Sequence, residues 1–66
     1  MALALSSDSW WALGPVQRSL YERSVVLCGA DPADVVEVRI GQALIEVDVV
    51  DFNDPRWPTL TLGRRL

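Results

Sequence analysis

Residues 35–52 read VVEVRIGQALIEVDVVDF, and this stretch decides the fold because apolar and polar side chains alternate on both sides of a glycine. Such alternation is typical of a half-buried pair of antiparallel strands. Gly41-Gln42 predicts a two-residue turn of type II′, which takes glycine at its first central position. The stretch therefore predicts a β-hairpin with one apolar face.

The position of this turn predicts the register, because directly opposed residues share a face of the hairpin. The predicted apolar face consists of the pairs Ile40–Ala43, Val38–Ile45 and Val36–Val47. The other face consists of Arg39–Leu44, Glu37–Glu46 and Val35–Asp48. A three-residue loop would mix the two faces, so an even loop is favoured. The like-charged pair Glu37–Glu46 is expected to be relieved by solvent and by Arg39, its diagonal neighbour.

A helix is predicted before the hairpin, over residues 15–28. Pro15 suits the first position of a helix, and Gly29 suits the left-handed residue that follows its end. In an alternative interpretation the helix ends near Arg23 and residues 25–28 form a short strand, because they include β-branched side chains.

These elements predict a small single α+β domain over residues 1–66, in which the helix packs on the apolar face of an antiparallel sheet. The expected core comprises Val16, Leu20, Leu27, Val36, Val38, Ile40, Ile45, Val47 and Val49. Continued alternation would point Asp51 inward. A bulge or strand end is therefore expected there, which lets Phe52 turn to the core.

The segments around the hairpin carry turn and strand patterns. Asp31-Pro32 predicts a type I turn into the hairpin. Residues 57–62 alternate and predict a third strand, which Pro58 restricts to an edge or delays. Residues 2–5 also alternate and are interpreted as either a further edge strand or a disordered end.

The segment before the helix contains adjacent tryptophans. Residues 7–9 offer helix-capping side chains, and Gly14-Pro15 limits the segment to about two helical turns. Trp10 and Trp11 are neighbours in sequence, so both can hardly point into one small core. An interface role for at least one of them and local packing are weighed equally. Trp57 is expected to pack on the core.

The small size predicts help from outside the chain. A domain of this length buries only about 60% of the surface that its unfolded chain exposes. Cys28 is the only cysteine and histidine is absent, which excludes an intrachain disulfide and the usual zinc sites. Oligomerisation or a partner remains as the common source of stability. Cys28 is interpreted as a buried structural residue, since it lies near the end of the helix.

The charge distribution is two-ended. Residues 31–54 hold seven acids against Arg39, a net charge of −6, whereas two acids and five arginines elsewhere give +3. An acidic hairpin disfavours nucleic acid as a partner and favours a basic protein surface or the arginine end of another copy. No stretch approaches the about 20 apolar residues of a membrane span. The first residues lack a basic leader, so a cytoplasmic location is expected.

No spacing of acids, bases or nucleophiles points to catalysis, and no cofactor or metal is predicted. The leading hypothesis is therefore a non-enzymatic interaction or assembly module that associates with itself. The lysine-free composition is typical of a high-GC genome and favours a phage or mobile-element protein, in a virion or acting on the host. The predicted partner-binding residues are Trp10, Trp11, Glu37, Glu46, Asp48, Arg64 and Arg65.

The alternative hypothesis is an acidic regulator or nucleic-acid mimic that binds a basic site on another protein. Its contact residues would be Asp34, Glu37, Glu46, Asp48 and Asp51. Arg64 and Arg65 are too few for a nucleic-acid footprint. They are expected to form either a solvated tail or a contact to the acidic hairpin of a neighbour.

Overall fold

The structure, a computed structural model, describes residues 3–51, 53, 56 and 59–66, and these form one α-helix packed against a four-stranded antiparallel sheet. The strands lie in sequence order: β1 (Leu3–Ser6), β2 (Val35–Ile40), β3 (Leu44–Val50) and β4 (Thr59–Arg65). The helix, α1, spans Pro15–Leu27. The predicted α+β fold and the C-terminal strand are thus confirmed. Of the two interpretations of residues 2–5, the described part agrees with the edge strand.

Both ends of α1 are closed by glycines. At the start, the Gly14 N–H donates to Gln17 Oε1 at 3.1 Å. At the end, Gly29 adopts a left-handed φ of 68°. The Gly29 N–H donates to Val26 O at 3.1 Å and the Ala30 N–H to Val25 O at 3.0 Å, the two bonds of a Schellman motif. The helix continues to Leu27, so the alternative of a strand over residues 25–28 is wrong.

Two short 3₁₀ helices, Ser7–Ala12 and Pro32–Asp34, connect the main elements. The cap of the first is Ser6, whose Oγ accepts from the Asp8 N–H at 3.3 Å, one residue before the predicted capping segment. The second is capped by Asp31, whose Oδ1 accepts from the Ala33 N–H at 3.0 Å. The predicted chain reversal into the hairpin is therefore formed.

The hairpin turn lies one residue later than predicted. The Gly41 N–H donates to Leu44 O at 2.8 Å, so Gln42 and Ala43 form the two-residue turn. Gly29 has the only positive φ among the described residues, which rules out the predicted type II′ turn at Gly41. The register shifts by two residues, and a shift of two leaves residues 37–40 and 44–48 on their predicted faces.

Charge pairing favours this register. Arg39 now lies opposite Glu46, whereas the predicted register opposed Glu37 to Glu46. Val38 pairs with Val47 and Ile40 with Ile45, so the apolar face is kept. All six predicted pairs are therefore wrong, although the faces of residues 37–40 and 44–48 are right. The pairs are Glu37–Glu46, Arg39–Leu44, Val35–Asp48, Val38–Ile45, Ile40–Ala43 and Val36–Val47.

A register irregularity between Val35 and Glu37 exchanges the roles of two valines. Val35 pairs with Val49, and Glu37 with Asp48, so Val36 is the extra residue of a β-bulge. Val35 consequently faces the core and is buried, while Val36 is half-buried. The prediction that Val36 faces the core was wrong for this reason.

The core lies between α1 and the inner face of the sheet. Its buried apolar side chains are Leu5, Tyr21, Val25, Val35, Val38, Ile45 and Val47. Leu27, Ile40 and Val49 are partly buried against it, as the sequence predicted in outline. Val16 and Leu20 are exposed instead, because α1 turns Tyr21, Ser24 and Val25 toward the sheet.

The end of β3 and the start of β4 lie next to the residues that the sequence predicts to limit them. β3 ends at Val50, directly before Asp51. This agrees with the strand end expected there, because a longer strand would point Asp51 inward. β4 begins at Thr59 and is an edge strand, consistent with Pro58 before it. The predictions for Phe52 and Trp57 lie outside the described residues.

Candidate interaction surfaces

The outer face of the sheet, turned away from α1, gathers four of the hairpin's charged side chains. Arg39 Nη1 donates to Asp48 Oδ2 at 2.6 Å and to Glu37 Oε1 at 3.1 Å. Arg39 Nη2 donates to Asp48 Oδ1 at 2.9 Å and lies 3.8 Å from Glu46 Oε2. One guanidinium thus forms ion pairs with three carboxylates. We call these four residues the Arg39 cluster.

The neighbouring strand adds a hydrogen bond to this cluster. Thr61 Oγ1, on β4, donates to Asp48 Oδ1 at 2.6 Å. The hydrogen bonds from Arg39 hold the pKa of Asp48 below its ordinary value, and the Thr61 hydrogen bond acts in the same direction against the effect of burial. The hydrogen bonds that Arg39 donates to Asp48 and Glu37 raise the pKa of Arg39. The cluster ties three strands together and keeps a net charge of −2.

The prediction that these charges share one face is confirmed, but their predicted pairing is wrong. The like-charged neighbours are Glu37 and Asp48, and Arg39 lies between them rather than beside a Glu37–Glu46 pair. Asp34 and Asp51, which the alternative hypothesis added to the same surface, are not among the ion pairs of the described residues.

The two neighbouring tryptophans have different surroundings. The Trp10 ring lies 5.1 Å from the Tyr21 ring, centroid to centroid, and the Arg18 guanidinium carbon lies 5.4 Å from the Trp10 centroid. Arg18 also donates to the carbonyl oxygens of Trp10 and Trp11 at 3.3 Å and 2.9 Å. Trp10 therefore packs against Tyr21 and Arg18 of the same chain, whereas Trp11 is 79% exposed.

The two terminal arginines also differ. Arg64 Nη1 donates to the Leu27 carbonyl oxygen at 3.1 Å, so its cation lies at the negative C-terminal end of α1. Arg65 is exposed at the end of β4, opposite Leu44. Arg64 thus anchors β4 to the helix, which a solvated tail would not do.

Cys28 caps the end of α1 and is half-buried. Its Sγ lies 3.9 Å from the Ile45 carbonyl oxygen. Burial raises the pKa of the thiol, and the nearby Arg64 only partly opposes this. The environment therefore disfavours the reactive thiolate and agrees with a structural role.

Apolar surface remains open beside the core. The described residues expose seven large apolar side chains: Trp11, Val16, Leu20, Val26, Leu44, Leu60 and Leu66. Leu20 and Leu66 also line a depression of about 290 Å³ that reaches Leu27, Ile40 and Ile45. Sequence reasoning missed this surface because it assigned Val16 and Leu20 to the core.

In the part of the chain that the structure describes, no group of three or more acidic, cysteine or histidine residues is placed to hold a metal ion. Within the same residues, no helix has both the length and the apolar character to cross a membrane.

No protein-family model matches this chain, and no curated protein or solved structure is significantly similar to it.

Proposed function

We propose that this chain is a non-enzymatic interaction or assembly module that associates with copies of itself. One observation carries the proposal: the described residues expose as many large apolar side chains as they bury, seven in each case. Part of this surface is continuous, since Leu20 borders one depression with Val16 and another with Leu66. Exposed apolar patches on a small protein are typical of interaction sites. A core of seven side chains is also small for independent stability, and binding of a partner to the folded state raises stability by mass action.

The two strongest candidates for a contact with another copy are Trp11 and the depression lined by Leu20 and Leu66. Exposed tryptophan is enriched among residues that dominate binding energy. Leu20 and Leu66 border a depression that a second apolar surface could fill. Trp10 is a weaker candidate than the sequence indicated, because Tyr21 and Arg18 already cover it.

The finer proposal of a phage or mobile-element protein, acting in a virion or in the host cytoplasm, rests on the lysine-free composition alone. It is compatible with an assembly role, since such roles need self-association and no catalytic group.

The acidic regulator remains the second proposal, and the net charge of the Arg39 cluster is the observation that favours it. Glu37, Glu46 and Asp48 bring three carboxylates to one face. However, their contacts with Arg39 already use these carboxylates internally. A basic partner would have to compete with that guanidinium, so self-association through apolar surface is the stronger proposal.

Sedimentation at low and high salt separates the two proposals. Apolar self-association predicts discrete oligomers that persist at high salt. An acidic regulator predicts a monomer that binds a basic protein or a polyarginine peptide, with affinity falling as salt rises. A monomer at high micromolar concentration in both salts would overturn the self-association proposal.

A further inference from the structure

We propose that two copies of this chain join through β4, edge to edge and antiparallel, with Leu62 of each copy on the two-fold axis. This inference rests on the proposed self-association and adds an edge and a register to the apolar contacts proposed for Trp11, Leu20 and Leu66. β4 is the last strand of the sheet, and within the described residues no strand pairs with its outer edge. It is also seven residues long, from Thr59 to Arg65, without an internal proline or acidic residue. Its two charged side chains, Arg64 and Arg65, lie together at its C-terminal end. Long edges that are otherwise uncharged are templates for a further strand.

The hydrogen-bond pattern identifies which backbone groups are free. The Leu66 N–H donates to Ala43 O at 3.0 Å, which makes Leu66 and Ala43 a hydrogen-bonded pair of the β3–β4 ladder. Hydrogen-bonded and non-hydrogen-bonded pairs alternate along an antiparallel ladder. The backbone groups of alternate β4 residues therefore point away from β3, and these residues are Thr59, Thr61, Gly63 and Arg65.

These free groups favour one self-complementary register. With Leu62 on the axis, Thr61 pairs with Gly63 of the second copy and Thr59 with Arg65. All seven residues of β4 then have partners. Two-fold symmetric contacts pair the same surface of both copies, which requires antiparallel strands here.

The side chains of β4 agree with this register. On the inner face, Leu60 is 50% exposed and Leu62 is half-buried, because α1 packs mainly against β2 and β3. The second copy would add its own leucines beside them. The antiparallel arrangement also keeps the arginines of the two copies apart. It brings each Arg65 to the end of the other sheet where β3 leads into Asp51.

A disulfide test measures this register directly. Residues on the axis form a non-hydrogen-bonded pair, whose Cα atoms lie about 4.5 Å apart, within the range that a disulfide spans. In a Cys28→Ser background, Leu62→Cys is expected to give a covalent dimer under a mild glutathione oxidant. The matched control is Leu60→Cys on the same strand and face, which would lie opposite residue 64 and is expected to remain uncrosslinked.

A second pair of variants tests the edge without a crosslink. Gly63→Pro removes an outward N–H and obstructs the added strand, while the bonds to β3 stay intact. Ala4→Pro is the matched change at the β1 edge. The Gly41–Leu44 hydrogen bond places the backbone groups of Arg39 toward β3, so its β1 partner Ala4 has an outward N–H. Gly63→Pro is expected to weaken dimerisation at least tenfold, and Ala4→Pro to leave it unchanged.

The outcomes separate this inference from the proposed function. Dimers by sedimentation that neither crosslink through Leu62→Cys nor respond to Gly63→Pro would overturn the β4 pairing and leave self-association standing. Crosslinking through Leu60→Cys instead of Leu62→Cys would overturn the register. A wild-type monomer at high micromolar concentration would overturn both.

Discussion

Arg39 and Asp48 form a two-point ion pair across β2 and β3, with Nη1–Oδ2 and Nη2–Oδ1 distances of 2.6 Å and 2.9 Å. Paired hydrogen bonds between a guanidinium and a carboxylate fix relative orientation as well as adding energy. Because Asp48 also accepts from Thr61 of β4, this pair connects three of the four strands. We therefore attribute the hairpin register in part to this contact.

The lowered pKa of Asp48 predicts a specific acid response. In the unfolded chain Asp48 has its ordinary pKa of about 4. The stabilisation from its ionised form is complete above that value and is lost as the pH falls through the lower pKa of the folded state. Asp48→Asn should therefore cost about 1–3 kcal/mol at neutral pH and flatten the decline of unfolding free energy below pH ~4.

Urea unfolding over a pH series measures this effect. Asp8→Asn is the matched control, because Asp8 is exposed and lies outside the Arg39 cluster. An acid response of Asp48→Asn identical to that of the wild type would contradict the role assigned to this ion pair.

The burial pattern predicts opposite outcomes for the same substitution at two valines. Val38 is 0% exposed, so Val38→Ala should lower the unfolding free energy by about 1–3 kcal/mol through lost contacts and a cavity. Val26 is 76% exposed, and Val26→Ala should change it by no more than about 0.5 kcal/mol. Similar losses at both positions in urea melts would show that the face of α1 is wrongly assigned.

The two tryptophans should differ in how much they contribute to folding stability. Trp10→Ala removes the contact with Tyr21 and should cost about 2–4 kcal/mol of folding stability. Trp11→Ala should leave stability within about 0.5 kcal/mol of the wild type, because its side chain is exposed. Circular dichroism melts below the association concentration measure both, and a large loss in Trp11→Ala would refute its exposed position.

The glycine that ends α1 should resist substitution. Gly29 has a positive φ, so Gly29→Ala should cost about 1–2 kcal/mol even though no atom crowds the new methyl group. Gly63 has no such conformation, and a Cβ there would meet Leu44 Cδ1 at 3.8 Å, an ordinary contact. Gly63→Ala should therefore be neutral or stabilise by about 0.5–1 kcal/mol. Thermal melts that reverse this order would contradict the Schellman motif.

The parts of the fold that local chemistry determines could be predicted from the sequence. Pro15 and Gly29 marked the ends of the helix, and alternation marked the two faces of the hairpin. The turn position was missed because the Gly41-Gln42 pattern competes with the ion pairs of Arg39, which act across strands. The buried face of α1 was missed because Tyr21 packs against Trp10, a contact between elements that a helical wheel does not contain.

The candidate surfaces were predictable to a similar extent. Periodicity was enough to place Glu37, Glu46 and Asp48 on one face. The free edge of β4 depends on the strand order, which a single sequence does not reveal. The exposed position of Leu60 depends in addition on where α1 lies over the sheet.

Amide hydrogen exchange along β4, followed by NMR over a series of protein concentrations, tests the central claim of edge-to-edge self-association most directly. The amides of Leu60, Leu62 and Arg64 face β3 and should be protected at every concentration. Those of Thr61, Gly63 and Arg65 should exchange rapidly at low concentration and become protected as the dimer forms. Exchange at these three amides that stays rapid up to high micromolar concentration, while the other three remain protected, would contradict the account.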